Sequence, residues 1–222
     1  MLEVEKANRE LQRLVTRLLL TMLDGASFAL AGSGAIREHG ITDRPTEDID
    51  LFTSNTDTRA FGQAVDRVLD GLRAASFIVA ESRRSAQFAR LHVETPSGER
   101  IDVDLGMDWR EDDPVLLQIG PVLSVDDAVG NKVSALYSRA EARDFLDVDA
   151  IRSSGRSTDE QLLSAARERD PGFEPLMFAQ QLDRAERLTP DRVREYGVSP
   201  DALSALQSRF AIWALRIREN TS

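Results

Sequence analysis

At 222 residues, with 41% hydrophobic and 30% charged side chains, the chain is long enough to bury a sizeable core and has the make-up of an ordinary globular protein. It contains no cysteine, which excludes disulfides, thiolate catalysis and zinc–sulfur centres. A formal net charge of −10 argues against broad, nonspecific nucleic-acid binding, which needs a basic footprint, but leaves room for a local arginine patch and favours a basic partner protein.

Residues 2–24 carry Leu11, Leu14, Val15, Leu18, Leu19 and Met22 at helical spacing and are expected to form an amphipathic helix. Its apolar run, Leu18–Leu23, is far too short to span a bilayer, and acidic residues precede it, unlike the basic start of a signal peptide. The expected location is therefore cytoplasmic, with no membrane partner. Ser27–Ala31 reads as a short apolar strand entering a small-residue turn of Gly32, Ser33 and Gly34. Ala35–His39 then reads as one or two helical turns stopped by Gly40. Asp48–Thr53 is expected as a strand, and Thr58–Ala75 as a helix with Phe61, Ala64, Val65, Val68, Leu69 and Leu72 on one face.

Phe77–Ala80, Phe88–Glu94 and Arg100–Leu105 are expected as strands, the last two joined by the turn Thr95–Glu99. A helix starts after Ser124, with Asp127 near its positive end, and runs to about Ala140; another runs from Ala142 to about Arg152. Residues 152–158 read as a linker. Beyond it, segments 158–168, 173–186, 190–195 and 200–217 are expected to be helical, broken by Pro171, Pro190 and Pro200. The expected class is α+β, with one domain over residues 1–152 and a helical one over 153–222.

The chemistry concentrates in residues 30–52. Alternate side chains of a strand share a face, so Asp48 and Asp50 project side by side. Two such carboxylates repel unless a cation lies between them, and hard oxygens suit Mg²⁺. The glycines let backbone N–H groups approach a phosphate at a helix N-terminus. Two-metal phosphoryl chemistry commonly needs a third carboxylate from a neighbouring strand. Arg100–Leu105 offers it: Ile101, Val103 and Leu105 face the core, leaving Asp102 and Asp104 on the other face, with Asp104 preferred over Asp102. The cations are nearly all arginine; Lys6 and Lys132 are the two lysines, which singles out Lys132.

Gly-Ser followed by Asp-x-Asp, and then a strand ending in one acidic residue, resembles the nucleotidyltransferase superfamily of polymerase-β type. More narrowly it resembles the AbiEii group, toxins of type IV toxin–antitoxin systems, and their mycobacterial MenT-like members. Gly32-Ser33 through Asp48-x-Asp50 carries the first motif and Ile101-Asp102-Val103-Asp104 the second. Asn131–Leu136, with Arg139 and Arg143–Asp147, carries the helical Lys and Arg-Asp motifs. The resemblance covers residues 30–147 and implies a polymerase-β-like core. It implies that Gly32 and Ser33 bind nucleotide triphosphate, that Asp48, Asp50 and Asp104 hold Mg²⁺ (two ions, or Mn²⁺ in their place), and that Lys132 grips triphosphate oxygens. Arg139 and Asp144 would assist nucleotide binding. Asp147 would orient the catalytic network, with Asp144 the competing assignment. The implied reaction transfers a nucleotide, often a pyrimidine, to the 3′ acceptor end of tRNA, blocking aminoacylation until a cognate antitoxin intervenes. Thr46 falls where some relatives are phosphorylated by their antitoxin.

Other readings of these residues are plainer. His39 suits a helix C-terminus as a dipole partner. Arg83, Arg84 and Arg90 form either an RNA-contacting patch or a solvated surface, and Trp109, Phe173 and Trp213 belong in a core or interface. The same active site would also serve a protein hydroxyl or a small molecule such as an aminoglycoside. A catalytically inactive nucleotide-binding module is the remaining alternative.

Overall fold

The computed structural model describes residues 2–46 and 48–221. The described chain divides into two compact units, residues 1–39 with 45–125 and residues 40–44 with 126–222.

The first unit is built on a seven-stranded mixed sheet of order β3-β4-β5-β2-β1-β7-β6, where β1 is Phe28–Leu30, β2 Asp48–Thr53, β3 Ile78–Arg84, β4 Phe88–Glu94, β5 Arg100–Met107, β6 Val115–Leu117 and β7 Gly120–Val122. The helices α1 (Leu2–Met22), α2 (Gly32–Glu38) and α3 (Thr58–Ala74) complete it. Strand alternation decides which side is dry. Ile49, Leu51, Leu91, Val93, Ile101, Val103 and Leu105 are all buried, as are Leu19 of α1 and Phe61, Val65, Val68 and Leu72 of α3. Phe28 and Phe61 stack with ring centroids 6.1 Å apart. The facing expected for Ile101, Val103 and Leu105 is the one found. Asp57 caps α3, its carboxylate accepting from the backbone N–H of Arg59 and Ala60. The β4–β5 turn closes through Gly98, whose φ of +94° suits a residue without a Cβ.

The second unit contains α4 (Val125–Ser138), α5 (Ala142–Ser153), α6 (Asp159–Arg169), α7 (Pro175–Asp183), α8 (Pro190–Val193) and α9 (Pro200–Thr221). Its core is aromatic. Phe178 meets Trp213 edge-on at 5.2 Å and Phe145 meets Phe210 at 5.2 Å, while Arg152 stacks on Trp213 at 4.3 Å.

Several expectations need correction. The glycine turn is not a loop before a helix: Gly32 and Ser33 form the first turn of α2. Strands β6 and β7 carry no sequence signal, being three residues each with Pro121 inside one; β7 forms because Leu30 of β1 supplies a parallel neighbour at Val122. Strand β3 runs on to Arg84, beyond the expected end at Ala80. Trp109 is 49% exposed rather than a core residue, whereas Phe173 and Trp213 are buried.

Candidate active site

Strands β2 and β5 run parallel and pair Asp48 with Asp102 and Asp50 with Asp104. Residues paired across neighbouring strands share a face, so the four carboxylates stand together on the sheet face opposite the dry one. Antiparallel β4 extends the rows: Arg90 pairs with Asp104 and His92 with Asp102. Arg90 Nε donates to Asp104 Oδ1 at 2.7 Å and Nη2 to Oδ2 at 2.5 Å, a two-pronged pair. These bonds to Asp104 hold the Arg90 guanidinium above its already high pKa, so it stays charged. His92 Nδ1 lies 2.6 Å from Asp102 Oδ1, with both groups about half exposed.

The row beyond Asp50 is apolar. Phe52 pairs with Gly106, where a Cβ would stand 3.1 Å from the Phe52 ring, and Gly106 pairs in turn with Phe88. The Phe88 ring carries two guanidiniums, Arg83 at 5.4 Å and Arg90 at 6.0 Å.

At the start of α2, Gly32 has φ +58°, and a Cβ there would lie 1.8 Å from Asp50 Oδ2. The glycine is demanded both by its backbone and by the carboxylate above it. Ser33 is 6% exposed in the same turn. A polar chain reaches Asp48 from α1: Arg37 donates to Gln12 Oε1 at 3.1 Å, the Gln12 amide donates to the Thr46 carbonyl, and Thr46 Oγ1 donates to Asp48 Oδ1 at 2.5 Å. His39 sits at the end of α2, its Nε2 2.8 Å from the Leu123 carbonyl, in keeping with a local structural role.

Lys132, Arg44 and Asp147 meet within the helical unit. Asp147 is fully buried; Lys132 Nζ lies 2.8 Å from its Oδ2, and Arg44 donates from Nε at 2.9 Å and from Nη2 at 3.1 Å. Burial pushes the Asp147 carboxyl up, but Lys132 and Arg44 together hold it below the ordinary carboxylate range. Arg44 also stacks over Tyr196 at 5.0 Å. Arg139 and Asp144 are paired with each other at 2.9 and 2.7 Å, and Asp144 accepts from the Glu141 backbone N–H as part of a capping box on α5.

Hard carboxylate oxygens in two adjoining rows fit a divalent cation such as Mg²⁺ in donor type. Among the described residues no three such side chains close around one point as they stand, since Asp104 is turned onto Arg90 and Asp48 accepts from Thr46.

A mixed sheet presenting paired aspartates beside a glycine-led helix invites comparison with known families. The model of the nucleotidyl transferase AbiEii toxin of type IV toxin–antitoxin systems matches residues 13–208. The chain belongs to the AbiEii family. Among solved structures, MenT4, a nucleotidyltransferase toxin of Mycobacterium tuberculosis, superposes with a TM-score of 0.62 at 19% identity, over 95% of this chain and 85% of that one. JHP933 of Helicobacter pylori superposes with a TM-score of 0.50 at 16% identity, over 92% of this chain and 89% of that one. At these identities the likeness bears on the fold. No curated protein matches by sequence. The AbiEii chain is thus a nucleotidyltransferase of the toxin–antitoxin class, which implies a nucleotide substrate and an antitoxin partner. Among the described residues no helix is long and apolar enough to cross a membrane.

Two pairings escaped sequence reasoning, Arg90 with Asp104 and Arg44 with Asp147. Arg90 was legible in principle: the β4–β5 hairpin pairs Glu94 with Arg100, and counting back four residues on one strand and forward four on the other sets Arg90 against Asp104. Arg44 was not, because its partner lies 103 residues away.

Proposed function

We propose that this AbiEii enzyme transfers a nucleoside monophosphate from an NTP, a pyrimidine nucleotide, to the 3′ acceptor end of tRNA, with Asp48, Asp50 and Asp104 as ligands of two Mg²⁺ ions (or Mn²⁺). The observation that carries this reading is the register of β2 against β5, which sets Asp50 beside Asp104 on one face. Bound metal would neutralise triphosphate charge and acidify the acceptor hydroxyl. The 3′ oxygen forms a bond to the α-phosphorus, the α–β bridging bond breaks, pyrophosphate leaves and the hydroxyl proton passes to solvent.

Within this reading Gly32 and Ser33 bring backbone N–H groups to the triphosphate. Lys132, held by Asp147, is a triphosphate cation, and Arg139 with Asp144 stiffens the helix pair that carries both. An RNA acceptor calls for a local basic rim on an acidic protein, and Arg83 and Arg90 on the Phe88 ring supply one beside the carboxylates. Thr46, hydrogen-bonded to Asp48, is the candidate for regulatory phosphorylation by the cognate antitoxin, since a phosphate there adds about two negative charges next to a proposed metal ligand. The expected setting is the cytoplasm.

The test incubates purified protein with total tRNA and each labelled NTP, with and without Mg²⁺. Metal-dependent label at tRNA 3′ ends is the expected result. Label on protein or on a small acceptor moves the enzyme to another substrate class, and no label with any acceptor leaves the inactive-module alternative.

A further inference from the structure

Asp104 is the most sheltered of the proposed metal ligands, and it already holds a cation. Its side chain is 9% exposed, and Arg90 occupies both carboxylate oxygens at 2.7 and 2.5 Å. A carboxylate set that deeply is costly without a partner, and Arg90 is the counter-charge that both of its oxygens meet. Arg90 itself is 45% exposed, resting on the Phe88 ring at one side and reaching solvent at the other. The fold does not depend on the pair for its register, because β4 and β5 are paired residue for residue from Phe88 to Glu94 over a buried core.

A hard cation and a two-pronged guanidinium draw on the same two oxygens. Held on one carboxylate, the two positive charges repel, so each weakens the other's hold on Asp104. We propose that Arg90 and a divalent cation exchange places on Asp104, and that the displaced guanidinium then takes a phosphate oxygen of a transfer substrate. The exchange rests on the metal reading given above. A planar guanidinium fork fits phosphate as well as it fits carboxylate, so the released group meets a geometrically equivalent partner. The exchange also orders the events: positive charge becomes available beside the carboxylates when metal and phosphate arrive together, and is spent on Asp104 when they do not. Arg83, on the same Phe88 ring and in no ion pair among the described residues, adds a second cation along the path of a phosphate backbone.

Electron paramagnetic resonance of added Mn²⁺ measures the exchange without turnover. Arg90→Gln, which keeps a hydrogen-bonding side chain beside Asp104, should bind Mn²⁺ roughly ten-fold more tightly than the wild type, with Arg90→Lys between them. In an Asp104→Asn background Arg90→Gln should give no gain; a gain that persists there reports general electrostatics and overturns the exchange. At saturating Mn²⁺, inorganic tripolyphosphate and a short single-stranded RNA are then titrated separately. Roughly ten-fold weaker binding of one of them to Arg90→Gln identifies whether nucleotide or acceptor supplies the phosphate, and unchanged binding of both overturns that half of the proposal. Wild-type Mn²⁺ binding that Arg90→Gln leaves unchanged or weakened overturns the exchange alone. Absence of Mn²⁺ binding in every folded variant overturns the metal reading itself, and the exchange with it.

Discussion

The carboxylate of Asp50 fills the space that a side chain at residue 32 would need. A Cβ on Gly32 would stand 1.8 Å from Asp50 Oδ2 and 2.6 Å from its Cγ, on a backbone whose φ is +58°. The glycine-led helix and the acidic strand are therefore fitted to one another before any phosphate is considered.

Gly32→Ala is expected to displace Asp50, abolish nucleotide transfer and lower stability by about 1–3 kcal/mol. Gly34→Ala is the milder comparison, because its Cβ would meet the Leu30 Cδ1 atom at 2.9 Å, the end of a side chain that can turn aside. Thermal unfolding and tRNA labelling on both variants check the contrast.

Asp48→Asn and Asp50→Asn should each reduce transfer on the order of 10²–10³-fold or more while leaving the circular dichroism spectrum unchanged, since neither residue belongs to the dry core. Toxicity on expression should fall in parallel. Growth inhibition that survives Asp48→Asn would separate the phenotype from this site.

Asp147 is the anion between two cations, Lys132 and Arg44, so its removal takes a buried counter-charge from both. Asp147→Ala is expected to cost about 3–5 kcal/mol. Lys132→Met leaves Asp147 its pair with Arg44 and should cost markedly less stability while still abolishing transfer. Urea unfolding followed by tryptophan fluorescence, alongside labelling assays, separates the two effects.

The same cluster sets a pH dependence. Burial opposes ionisation of Asp147, but Lys132 and Arg44 hold its folded pKa below the unfolded value near 4. A depressed folded pKa gives stability that is present above the unfolded value and lost as pH falls through the folded one. The unfolding free-energy gap between wild type and Asp147→Asn should therefore be constant from neutral pH down to about 5 and narrow below about 4. A gap that widened on acidification would reverse the sign of this account.

Thr46 gives a graded pair of variants. Thr46→Val removes the hydroxyl that donates to Asp48 and should lower transfer by only a few-fold. Thr46→Glu places negative charge beside the carboxylates and should suppress nucleotide binding strongly. Gln12→Ala, which frees the Thr46 carbonyl, should resemble Thr46→Val in transfer assays.

What the sequence determined by itself is what backbone geometry fixes within a single segment. The period of two along Asp48–Thr53 and Arg100–Leu105 put the aspartates on one side and Ile49, Leu51, Ile101, Val103 and Leu105 on the other, and the structure keeps that division. The spacing of small residues, aspartates and Lys132 was also enough to point to the AbiEii family, because such motifs are local strings. What only the tertiary structure decided is partnership between distant segments. The parallel pairing of β2 with β5, the parallel support that makes β7 a strand, the bond from Arg44 to Asp147 and the occupation of the Gly32 cleft by Asp50 all join residues that no periodicity links. Periodicity is dictated by φ and ψ of the chain itself, whereas register and partner choice follow from how separately formed faces pack and satisfy their buried charges.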